Sequence, residues 1–107
     1  MPFTALFIAT APDADAGKHR AVIETGVYKL FTVVVKDHTQ ALDLCRTMVP
    51  AEGIHSVLLC PGHTHQDVGE IADAVGPAVA VSVARGDSRS MGIARQAMEE
   101  GGWFAAR

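Results

Sequence analysis

The sequence predicts an α/β domain: a small four-stranded, mainly parallel sheet with helices on both faces. Three observations carry this expectation. Short apolar, β-branched runs recur along the chain, stretches with helical apolar spacing separate them, and each gap holds about the dozen residues that a parallel crossover needs. The competing arrangement is a ferredoxin-like α+β sandwich, because the segment between the first two strands is the least regular.

Phe3 to Ala9 is apolar apart from Thr4, as befits a strand buried on both sides. Tyr28 to Lys36, "YKLFTVVVK", is aromatic and β-branched and makes the second strand. "IHSVLLC", ending at Cys60, makes the third, and "AVAVSVA", Ala78 to Ala84, the fourth. Between the second and third strands, Leu42, Cys45, Met48 and Val49 recur at helical spacing. Asp37 with Gln40 resembles a capping box there, and Pro50 with Gly53 closes the element. The next helix places Val68, Ile71, Ala72 and Val75 on one face, with Thr64 as N-cap and Gly76 as stop. Met91, Ala94, Ala97 and Met98 form the stripe of a last helix. In "PDADAGKHRAVIETG" the first half reads as a loop and His19 to Thr25 as a helical stretch.

The totals bound the rest. At 107 residues, 49% hydrophobic and 20% charged, the whole chain, 1–107, makes one globular domain. A net charge of −3 provides no basic field for nucleic acid or anionic lipid. One Trp, one Tyr and four Phe are too few for a base-stacking surface. Two cysteines, in no CxxC pair, give neither a disulfide scaffold nor a zinc knuckle. The apolar start has no positive flank, and nothing approaches the ~20 apolar residues of a membrane span. The expected address is the cytoplasm, with both thiols reduced.

In open parallel sheets, ligands sit beyond the carboxyl ends of the strands. Four of the five histidines fall after strand ends on this reading. His55 does not, since it lies roughly 16 Å of strand away from Cys60. The candidates therefore gather in four turns. After the first strand, Asp13 and Asp15 with His19 could form an acid/base group, against an ordinary turn. After the second stand Asp37, His38 and Thr39.

After the third strand, "CPGHTH" offers Cys60 as a nucleophile near a helix N-terminus, with His63 or His65 as its base. The bland alternative is a packed core thiol, with Pro61 removing one backbone donor. His63 and His65 could also ligate zinc or another divalent metal, with Asp13 or Asp67 as oxygen ligand; against this, Thr64 and Asp67 simply cap a helix and leave the imidazoles solvated. After the fourth strand, Arg85, Gly86, Asp87 and Ser88 suit a carboxylate or phosphate: glycine permits close approach, free helical N–H groups receive the anion, and the guanidinium flanks it. The alternative is an Asp87 or Ser88 cap with Arg85 paired to an acid such as Asp13. No nucleotide fingerprint is present, neither G-x-G-x-x-G nor a P-loop, and there is no G-x-S-x-G nucleophile elbow.

The stretches "ALFIATAPDADAGKHRAVIETGVYKLFTVVVK", "EGIHSVLLCPGHTHQDVGEIADAVG" and "VSVARGD" resemble a family of small bacterial α/β proteins known only as a domain of unknown function. The resemblance spans nearly the whole chain. It implies one module, and it carries over no activity, substrate or cofactor.

Two kinds of function follow from the residues. One is an enzyme acting on a small anionic molecule, held by Arg85 and the Gly86–Ser88 turn, with His63 or His65 as acid/base and Cys60 or Asp13 assisting. The other is a non-catalytic metal- or ligand-binding module in the same crevice, or a purely structural oligomer. A small sheet has two open edges, so a homo-oligomer is expected. Trp103 and Phe104, past a double glycine, should fold onto the core or enter a subunit contact.

Overall fold

A computed structural model describes residues 1–105. The elements run β1 (Phe3–Thr10), β2 (Arg20–Glu24), β3 (Tyr28–Val35), α1 (His38–Glu52), β4 (Ser56–Leu59), α2 (His65–Val75), β5 (Ala80–Val83) and α3 (Ser88–Glu100). They form one five-stranded sheet in the order β2-β3-β1-β4-β5. β1 lies parallel to both β3 and β4, and β4 to β5, while β2 runs antiparallel to β3 along the edge. The mainly parallel α/β sheet is as expected, but with five strands rather than four.

The extra strand is β2, where His19 to Thr25 was expected to be helical. "RAVIE" is β-branched at its centre and pairs in register with β3, Val22 opposite Phe31 and Ile23 opposite Leu30. An exposed β3 edge offered backbone hydrogen bonds that a five-residue helix could not match. Lys29 and Glu24, directly opposite, add an ion pair at 3.3 Å.

This substitution of strand for helix also overturns the expectation of helices on both faces. The crossovers β3-α1-β4 and β4-α2-β5 both step the same way across the sheet, so right-handedness sends α1 and α2 to one face. The β1-to-β3 connection steps the other way and would carry a helix on the opposite face. Its residues form β2 instead.

On the covered face, Leu6, Ile8, Val33, Val35, Val57 and Leu59 are almost fully buried. They meet Ala41, Leu44, Cys45, Met48 and Val49 of α1 and Ile71 of α2. Pro50 lies inside α1 and does not end it; the helix runs on to Glu52, and Gly53 closes it in the left-handed conformation, φ 64°. Asp37 caps α1 by accepting from the Gln40 N–H at 3.0 Å, and the Gln40 side chain accepts from Lys36 N–H, so only half of a capping box is made. At α2 the box is complete: Thr64 accepts from Asp67 N–H at 3.0 Å, and Asp67 accepts from Thr64 N–H at 3.1 Å. No residue of α3 is buried. Among the described residues, no helix is long and apolar enough to cross a membrane.

Candidate functional site

β1 lies between β3 and β4, and the chain leaves β1 toward β3 on one side and leaves β4 toward β5 on the other. The carboxyl ends of β1, β3 and β4 therefore open the crevice where α/β sheets bind ligands. Thr10 ends β1, His38 opens α1 just after β3, and the "CPGHTH" turn links β4 to α2.

Cys60 is half-buried here. Its thiol points toward Thr10 Oγ1 at 3.9 Å and lies 3.8 Å from Nδ1 of His63. The same nitrogen is 3.3 Å from the Cys60 carbonyl oxygen. Burial holds the His63 imidazole below its usual range, against the pull of Asp67 and with the help of His38. The ring is thus neutral at neutral pH and able to accept a proton. Cys45, by contrast, is sealed in the core, and burial pushes its thiol up to about 11. Of the two thiols, only Cys60 faces polar chemistry.

Behind His63 stands a second group. His38 donates from Nε2 to Glu70 Oε1 at 2.7 Å and lies 3.6 Å from Asp67 Oδ1. These three ligand-type atoms all fall within 4.8 Å of one another. Nδ1 of His38 is buried without a partner. Asp67 sits below the ordinary carboxylate range, chiefly because the Thr64 N–H bonds to it.

A cavity of about 350 Å³ is lined by Pro61, His63, His65 and Val68 on one side and by Val83, Ala84, Gly86 and Met91 on the other. The turn after β4 and the turn after β5 therefore share a wall, which includes Gly86 but not Cys60, Asp13, Arg85, Asp87 or Ser88. A Cβ at Gly86 would come within 2.9 Å of Met91 Sδ and 3.4 Å of Pro61, so the flexible Met91 side chain would have to shift to admit it. Arg85 is mostly exposed and donates from Nε to Asp87 Oδ1 at 2.7 Å, so its partner is Asp87 and not Asp13. Asp87 occupies the N-cap position of α3 without making a side-chain cap bond. Ser88 is the first residue of the helix.

The turn after β1 contributes less than its composition suggested. Asp13 is exposed. His19 Nδ1 accepts from Asp15 N–H at 2.8 Å, and Asp15 accepts from Gly17 N–H, so these groups hold the loop together. His55 sits just before β4, where its Nδ1 accepts from Thr4 N–H at 3.0 Å. The pairing of His38 with Glu70 had no signal in the sequence, because the partners are 32 residues apart and meet only when α1 and α2 pack.

No curated protein and no solved structure shows significant similarity to this chain. The stretches that carry the family resemblance do match as one unit, spanning β1 almost to the end of α3. Over residues 3–99 the chain matches, and belongs to, the family of unknown function DUF6506.

Proposed function

We propose that the cavity between the Pro61–His65 and Ala84–Gly86 turns is a site for a small anionic molecule, with His63 as its proton-transfer residue. The observation that carries this reading is the shared cavity: one turn supplies the imidazoles and the other supplies close backbone approach at the start of a helix. His63 is neutral at working pH and suited to act as a base. Cys60 stands within reach of it as nucleophile or hydrogen-bond partner. The α3 N-terminus brings free N–H groups and the positive end of the helix dipole, while Arg85 neutralises the nearby Asp87. His65 and Val68 complete the wall opposite Gly86.

A thermal-shift screen of small carboxylates and phosphates tests this. A raised midpoint that Gly86→Val and His63→Ala both abolish supports it, since a branched side chain at Gly86 would crowd the cavity wall beside Met91 and Pro61. No shift with any anion, or a shift that both variants retain, would reject it. Thiol labelling adds the chemistry: Cys60 should react in the native protein and Cys45 only after unfolding.

A second reading rests on the His38–Asp67–Glu70 group. One nitrogen and two carboxylates at that spacing can close on a divalent metal such as zinc, leaving open positions for water or substrate. Its rival is an ion pair tying α1 to α2. Titration with zinc, followed by calorimetry and native mass spectrometry, decides between them. One ion per chain, lost in His38→Ala and in Glu70→Gln, supports the metal; no uptake leaves the ion pair.

A further inference from the structure

Two apolar surfaces of this molecule lie uncovered. The first is the sheet face turned away from α1 and α2. Phe3, Phe7, Leu30, Val34, Leu58 and Ile23 point to it, alternating with the buried residues of the same strands. No strand residue on that side carries a charge. Phe3 is 50% exposed, Leu58 38% and Ile23 59%. Uncovered apolar patches of this kind mark interaction sites.

The second surface is half of α3. At about 100° per residue, Ile93, Ala97, Ala94, Met98 and Met91 share one side of the helix, and Arg89, Arg95, Glu99 and Glu100 share the other. Such division implies burial of one side, yet no residue of α3 is buried. The charged side is complete in itself: Arg95 pairs with Glu99 and lies over the Phe104 ring at 4.7 Å. Phe104 and Trp103 thus fold back along α3 and not onto the core, Trp103 N–H bonding Met98 O at 3.0 Å. The long axis of 42 Å, against 27 and 26 Å for the others, is that of a molecule with an extension.

The helix is not free to swing onto the bare face of its own sheet. Its first turn is held at the opposite rim, with Met91 against Gly86 and in the same cavity wall as Val68 of α2.

We propose that the bare sheet face receives α3 of a second copy of this chain, and reciprocally, in a twofold dimer. Each chain offers one helix without a surface and one surface without a helix, so a twofold pair leaves neither unmet. Dimensions agree. α3 is about 20 Å long, and β1 and β3 run about 26 Å. The five strands are about 24 Å across at their usual spacing. A different protein on the face would leave α3 still unpartnered.

Light scattering of the full chain across micromolar concentrations should give twice the 11.3 kDa chain mass. Leu58→Glu on the sheet and Ala97→Glu on α3 should each return the monomer mass with the circular dichroism of the folded chain, because both positions are exposed in the single chain. Mixing Leu58→Cys protein with Ala97→Cys protein, both also Cys60→Ser, and adding a short bismaleimide should join one chain of each kind. A monomeric wild-type protein would overturn the proposal, as would a dimer that both glutamates leave intact. Cross-linking only between Leu58 positions, the mark of sheet against sheet, would overturn it too.

Discussion

The two faces of this sheet are made by alternate residues of the same strands, yet their fates differ. In β1, Leu6 and Ile8 have no exposure, while Phe3, on the other side, keeps 50%. In β4, Leu59 is sealed and its neighbour Leu58 is 38% exposed. All five side chains are large and apolar, so hydrophobicity alone does not separate them. The difference comes from crossover direction: two right-handed connections deliver α1 and α2 to one side, and the connection that would cover the other side became β2. Which face is core is thus a property of topology more than of composition.

The largest expected effect sharpens this contrast directly. Ile8→Ala on the covered face should lose about 3 kcal/mol in urea denaturation, the transfer and cavity terms of a sealed aliphatic side chain. Leu58→Ala, measured at the same low protein concentration, should lose less than about 1 kcal/mol. Equal losses would mean that both faces are packed.

Next come the helix starts, where α2 and α3 differ as the two faces do. Thr64→Ala removes a cap bond whose reciprocal partner is Asp67, and should cost about 1 kcal/mol in the same assay. Asp87→Ala removes no cap bond and should be nearly neutral.

The smallest effect is one of pH. The His63 pKa is lower in the folded chain than in the unfolded one. Its neutral form is therefore favoured by folding, and stability is complete above the usual imidazole value of about 6.5. As pH falls below that value the unfolded chain takes up the proton first, and stability declines until the folded pKa is passed. His63→Gln should flatten this part of a stability–pH curve.

Much of the site was legible early because it follows local rules. The Thr64–Asp67 box needs only residues three apart, and the collection of Cys60, His63 and Gly86 at one edge follows from strands of the same direction ending together. The parts that escaped are non-local. Arg85, by contrast, took a local partner, Asp87, two residues away. His38 found Glu70 only through the packing of α1 on α2.

Sequence by itself determined the periodic elements, the caps of α1 and α2, the burial of Cys45 and the mainly parallel sheet, since each rests on side-chain spacing or backbone sterics within a short stretch. Only the tertiary structure decided that "RAVIE" is a strand. A five-residue β-branched segment has no strong preference until a neighbouring edge offers its hydrogen bonds. The same event left one sheet face bare, an outcome no local pattern contains, because coverage depends on the direction in which the chain crosses.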